Sequence, residues 1–183
     1  MIRTRLVLVT AVLLTLAPLG RAAAITATQE GVRIEGGSLG NFVLSYPILV
    51  SENPNQELKP IEKTAAHPRA TLKYANGAQV ELAIAANGEV TVEFKKLPAA
   101  VKKFKMETMI DFTFSQGGKW SIDGKEPHAF PAEKPPKPFL FQGNGSSLQL
   151  VNFENRSLSI TVPQYSFHQL QDNREWNWKT FAW

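Results

Sequence analysis

Between residues 70 and 94 the apolar positions fall on every second residue. Leu72 and Tyr74 are followed by Asn76-Gly77; Val80, Leu82 and Ile84 alternate with Gln79, Glu81 and Ala83; after Asn87-Gly88, Val90, Val92 and Phe94 alternate with Glu89, Thr91 and Glu93. A period of two puts one set of side chains on one face of a strand and the rest on the other. Asn-Gly accepts positive φ at both central positions of a type I′ turn, whose twist suits a hairpin. The pattern therefore predicts a three-strand meander closed by two type I′ turns.

Similar but weaker patterns flank it. Gly31 to Glu35 and Phe42 to Val50 read as strands, with Gly36, Gly37 and Gly40 between them and a polar turn over Ser51 to Gln56. Leu58 to Lys63 reads as a short strand weakened by Pro60, because proline has no N–H for a ladder. Pro98 to Lys103 reads as a loop or a single helical turn, and Met106 to Phe114 alternates as one strand ahead of the Gln116-Gly117-Gly118 turn and Trp120 to Ile122. Residues 126–138 carry Pro127, Pro131, Pro135, Pro136 and Pro138, which predicts an extended loop inside one domain. Phe139 to Gln142, Ser147 to Phe153 and Leu158 to Val162 follow as strands, with turns at Asn144-Gly145 and at Glu154-Asn155-Arg156. No segment sustains a 3.6-residue apolar period. About ten short strands with regular turns predict an all-β fold, an antiparallel β-sandwich with little helix.

The first 24 residues change the picture of where this domain works. Arg3 and Arg5 precede an apolar run from Leu6 to Leu19, and Ala22 and Ala24 stand at an A-x-A spacing. The run is short for a membrane span, and the pattern is that of a signal peptide cleaved before Ile25. The expectation is a leader over 1–24 and a single sandwich over 25–183, secreted or periplasmic, with no membrane span after cleavage. The whole chain has 20 Lys plus Arg against 16 Asp plus Glu. Arg3, Arg5 and Arg21 belong to the leader, so the remainder holds 17 basic against 16 acidic side chains, a net of +1. That balance argues against a nucleic-acid partner. Cysteine is absent, so an exported form has no disulfides and relies on its core.

Chemistry is sparse. His67, His128 and His168 are far apart and form no zinc spacing. No cofactor is expected; calcium, whose oxygen ligands can come from scattered loops, stays open, but Asp123-Gly124 lacks a calcium-loop context. No nucleophile elbow and no phosphate-binding glycine pattern occurs, so catalytic residues stay unassigned. Acid–base work on a glycoside needs two placed carboxylates, and Glu107, Asp111, Asp172 and Glu175 are the acids to inspect.

The densest stretch is Gln169 to Trp178. It packs amides, both charge signs and two tryptophans into ten residues. A sugar ring has apolar C–H faces and a rim of hydroxyls, which an aromatic face and planar polar groups match. Trp176, Trp178, Tyr165 and Trp120 are the candidate stacking residues, and Asn173, Arg174 and Asp172 the candidate hydroxyl partners. The bland alternative stays open: a salt-bridged corner of Asp172, Arg174 and Glu175, with the tryptophans packed in the core.

The exported context, the short strands, the Asn-Gly meander over Ala70 to Phe94 and the Trp-rich terminus together resemble accessory β-sandwich domains of bacterial polysaccharide-degrading enzymes. The resemblance is architectural and carries over no catalytic residue. It implies a non-catalytic module that contacts a polysaccharide or oligosaccharide. A lyase or glycoside hydrolase, or the leading part of one, is the alternative, and a structural or protein-binding envelope domain the second.

Overall fold

The computed structural model describes residues 15–16, 24–36, 39–51 and 56–183, without the side chains of 15–16 and 163–165. The expected leader lies outside the described residues apart from Thr15, Leu16 and Ala24, as does most of the Ser51–Gln56 turn.

The chain is nearly all β, and every sheet is antiparallel. In chain order the strands are β1 (Thr15–Leu16), β2 (Ala24–Ala27), β3 (Gly31–Glu35), β4 (Asn41–Ser45), β5 (Ile48–Ser51), β6 (Glu57–Leu58), β7 (Glu62–Ala66), β8 (Arg69–Lys73), β9 (Gln79–Ile84), β10 (Val90–Lys96), β11 (Val101–Lys105), β12 (Met109–Asp111), β13 (Lys119–Ile122), β14 (His128–Ala129), β15 (Phe139–Val151), β16 (Ser157–Asp172) and β17 (Thr180–Ala182). The largest sheet runs β12-β17-β16-β15-β13-β14, with β1 laid against β16 at Leu158 and Ser159. A four-stranded sheet runs β10-β9-β8-β7, and two three-stranded sheets run β11-β5-β6 and β2-β3-β4. One contiguous core draws on all four, from Ile34 and Leu44 through Leu49, Leu72 and Val92 to Leu150, Ile160 and Phe181. The arrangement is sandwich-like.

The meander is present in the expected register, with Val80, Leu82, Val90 and Val92 all buried. Its turns differ from type I′. Gly77 donates to Tyr74 O and Gly88 to Ala85 O, and only the glycines take positive φ, 80° and 86°. This is a type I turn closed by a glycine bulge, the three-residue hairpin solution. Asn76 and Asn87 serve another purpose: their Oδ1 atoms accept the N–H two residues on, from Ala78 and Glu89.

Elsewhere the number of strands exceeds the expected ten because longer runs break. Phe42 to Val50 splits at Tyr46-Pro47 into β4 and β5, and Leu58 to Lys63 splits around Lys59-Pro60 into β6 and β7. Met106 to Phe114 keeps only β12, since the Asp111 carboxylate accepts Thr113 N–H at 2.8 Å and caps a 3-10 turn over Phe112–Ser115. Pro98 to Lys103 is partly a strand: β11 pairs with β5 from Val101 onward.

The largest departure is at Asn144-Gly145. There the chain does not turn, and β15 runs thirteen residues through it against a sixteen-residue β16. The irregularity is a register break: Gly145 faces Ser166, but Ser147 faces Thr161. The proline-rich loop is present and tied down. Phe130 is buried, Phe130 N–H donates to Gly118 O at 3.0 Å, and Asp172 N–H donates to Pro138 O at 2.7 Å.

Candidate functional site

The long β15–β16 hairpin turns its alternate residues outward. On β16 His168, Leu170 and Asp172 are buried, while Phe167 and Gln169 are exposed and Gln171 half-buried. Register places Gln142 opposite Gln169 and Asn144 opposite Phe167. The outward amides bond head to tail. Gln142 Nε2 donates to Gln169 Oε1 at 3.1 Å, and Gln169 Nε2 to Gln171 Oε1 at 3.2 Å. Gln171 Nε2 then donates to Asn173 Oδ1 at 2.7 Å, and Asn173 Nδ2 to Thr180 Oγ1 at 3.0 Å. An amide has two N–H donors and two carbonyl lone pairs. Each interior rung uses one of each along the ladder, leaving one N–H and one lone pair per glutamine for a further partner.

Gln169, Gln171 and Asn173 form one wall of a groove of about 990 Å³, with Gln142 outside its lining. Phe167, 66 % exposed, stands at one end of that wall. Trp178, 59 % exposed, stands at the other, where its backbone N–H donates to Asn173 O. β11 also lines the groove, with Leu97, Met106, Phe94 and Trp183. Lys103 and Lys105 are among its residues there. Lys105 lies 2.7 Å from both Glu57 and Glu107. Partial burial works against its charge, but hydrogen bonds to Glu107 and Glu57 outweigh that and hold its ammonium above the usual lysine range. Among the described residues no such carboxylate faces Lys103.

His168 supports the groove from below. Its Nδ1 lies 3.1 Å from Trp183 Nε1, and its Nε2 lies 2.9 Å from Gly145 O. An indole N–H only donates and a carbonyl only accepts, so the ring carries its proton on Nε2 and is neutral. Trp183 stacks on it at 5.3 Å between centroids. Both nitrogens are committed, and His168 is a packing residue rather than a free base.

The residues singled out in the sequence divide by exposure. Trp178 lines the groove and is exposed, whereas Asn173 borders the groove but is 1 % exposed, its amide spent on Gln171 and Thr180. Trp176 is 48 % exposed but lies outside the groove lining. Asp172, Arg174 and Trp120 are used by the fold. Trp120 is 6 % exposed, stacked on His128 at 4.7 Å and beside Phe141 at 6.0 Å, so its face is already covered. Asp172 is 1 % exposed and binds Arg174 through Nε and Nη2. The rest of the Arg174 guanidinium donates to the carbonyls of Pro131, Ala132 and Glu133, and it lies over the Phe112 ring at 4.7 Å. Four of the five N–H donors of Arg174 are therefore spent on the fold. The Tyr165 side chain lies outside the described residues.

Phe167, Gln142 and the role of Gln169 and Gln171 were not singled out from the sequence. The signal is the alternation of His168, Leu170 and Asp172 with Phe167, Gln169 and Gln171, which continues the strand through the tail.

The acids inspected for catalysis are all engaged. Asp111 caps the 3-10 turn, Glu107 clamps Lys105, Asp172 holds Arg174, and Glu175 pairs with Lys134 at 2.7 Å. Among the described residues, no three His, Asp or Glu side chains gather as a metal-ion site. No helix of the described residues is long and apolar enough to cross a membrane. Compared with known proteins, the chain matches no protein-family model, no curated protein and no solved structure.

Proposed function

We propose that this chain is an exported, non-catalytic carbohydrate-contacting β-sandwich whose groove holds a polysaccharide or oligosaccharide. The observation that carries the reading is the pair of amides Gln169 and Gln171, held by Gln142 on one side and the buried Asn173 on the other, and set in the groove between the exposed rings of Phe167 and Trp178. Aromatic faces suit the C–H side of a sugar, and preoriented amides suit its hydroxyls. Rungs already fixed by one another lose little side-chain entropy when a ligand binds. Both carboxylates lining the groove, Glu57 and Glu107, are held on Lys105, which favours binding over acid–base cleavage. Export rests on the leader pattern of Arg3, Arg5, Leu6 to Leu19 and Ala22-Ala23-Ala24.

The test is intrinsic tryptophan fluorescence titrated against soluble plant and algal polysaccharides. A saturable shift is expected, lost in Trp178→Ala with the circular dichroism unchanged and retained in Trp176→Ala, since Trp176 stands outside the groove lining. No response to any polysaccharide in the panel would overturn the reading. A second reading, a domain that binds another protein through a sheet edge, is favoured by one observation. Among the described residues, β16 pairs on its outer edge only at Leu158–Ser159 and Gln171–Asp172. An extended peptide would add along that open edge. Saturable shifts with peptides and none with polysaccharides would favour it.

A further inference from the structure

We infer that the groove takes a linear, extended glycan chain lying along β16, and not a single sugar or a chain end. This rests on the carbohydrate reading above and specifies its ligand.

The argument is geometric. Phe167, Gln169 and Gln171 occupy alternate positions of one strand, so they stand in single file on one face. A strand advances ~3.3 Å per residue, which places Phe167 and Gln171 about 13 Å apart. Past Gln171 the backbone carbonyl of the buried Asn173 accepts the Trp178 N–H, which sets the exposed Trp178 beyond the row. The two exposed aromatics are therefore at opposite ends of a row of polar rungs. A pocket for one sugar would gather its polar groups around one point, with a ring beneath it. Here the polar groups are spread along a track, and one ring unit can reach only a rung or two.

β11 supplies Val101, Lys102, Lys103, Phe104 and Lys105 to the same groove, so the row on β16 shares it with a second strand.

The rungs also fix what is recognised. Each glutamine keeps one free N–H and one free lone pair, so each offers a donor and an acceptor to a hydroxyl that can itself do both. The repeat of identical rungs matches a repeat of identical sugars. The ends are less selective, since an aromatic face accepts any ring with an exposed C–H side.

The experiment compares glucose, xylose and mannose with linear oligomers of increasing length of each, and with the parent polysaccharides, by calorimetry and tryptophan fluorescence. Expected is an affinity that rises with chain length until the oligomer exceeds about 13 Å and then levels, with single sugars at least about tenfold weaker. Phe167→Ala is expected to remove the advantage of the long oligomers and leave the short ones unchanged, while Gln169→Ala weakens both. Both side chains are exposed, and circular dichroism checks that the variants fold. Single sugars binding as tightly as long oligomers would overturn the linear-chain inference and leave the carbohydrate reading standing. A length dependence unaffected by Phe167→Ala, Gln169→Ala and Trp178→Ala would put the chain elsewhere and overturn it too. Silence from every polysaccharide would remove both.

Discussion

Gly145 sits where three side chains converge. A Cβ there would come within 2.6 Å of Ile122 Cγ2 and 3.2 Å of both Asp123 Oδ2 and His168 Cδ2. Ile122 is buried and cannot retreat, and His168 is held at both nitrogens. Gly145→Ala is expected to cost about 1–3 kcal/mol, the scale of overpacking a filled interior, read as a lower urea midpoint at unchanged slope. Asp123 secures the same register break from the β15 side. Its Oδ1 accepts the N–H groups of Ser146 at 2.7 Å and Ser147 at 3.0 Å. The Ser146 bond, with the Ser147 bond and the nearby Lys125, holds its carboxyl below the usual aspartate range against a smaller effect of burial. A folded value below the unfolded one means the contribution is fully present above the ordinary aspartate range. It is lost as pH falls through the folded value. Stability measured by urea at a series of acidic pH values is therefore expected to fall less steeply in Asp123→Asn than in the wild type. Identical slopes would show that the carboxylate bonds contribute nothing.

The two residues act on one element, the β15–β16 hairpin, and that element marks the limit of what the sequence makes legible. Strands with strict alternation between turn dipeptides, β8 to β10, are readable because every determinant is local. β11 is not, since Val101-Lys-Lys-Phe-Lys105 has no alternation and becomes a strand only through its distant pairing with β5. Asn144-Gly145 is the same dipeptide that turns the meander, yet here it stays extended. The reason is tertiary: Gly145 is wanted for its missing side chain beneath Ile122 and His168, not for positive φ. Once that turn disappears, two expected strands fuse and β16 extends into the tail. The amide ladder depends on this. Gln142 and Gln169 are 27 residues apart in sequence, and only the register of the long hairpin brings them to 3.1 Å. Composition around Gln169 to Trp178 pointed to the right neighbourhood. It could not separate Trp178, which is exposed in the groove, from Asp172, Asn173 and Arg174, which are consumed by the fold.

At the scale of the whole molecule, Arg174 decides how the proline-rich loop belongs to the sandwich. The loop has five prolines between 126 and 138 and so few N–H groups with which to build a sheet. It does have carbonyls, and three consecutive ones, from Pro131, Ala132 and Glu133, point at one guanidinium. That guanidinium is fixed in turn by the buried Asp172 at the end of β16 and by the faces of Phe112 and Phe181. Through Phe181 and Phe130, whose rings lie 4.6 Å apart, the same corner joins the large sheet to the loop. Removing Arg174 would strand the Asp172 charge and three carbonyls at once. Arg174→Ala is therefore expected to cost about 3–5 kcal/mol, the scale for breaking a buried ion pair from one side. Arg174→Lys should recover little of it, because a lysine ammonium has three donors on a point charge and cannot span a carboxylate and three carbonyls. Chemical denaturation measures that loss. A glutamate-specific protease measures its location, since cleavage after Glu133 should accelerate in both variants while cleavage at Glu81 and Glu93 in the meander sheet follows global stability alone. Equal acceleration at all three sites would mean that the corner stabilises the molecule without holding the loop. A stability loss below about 1 kcal/mol, the range of exposed pairs, would mean that water replaces the guanidinium freely.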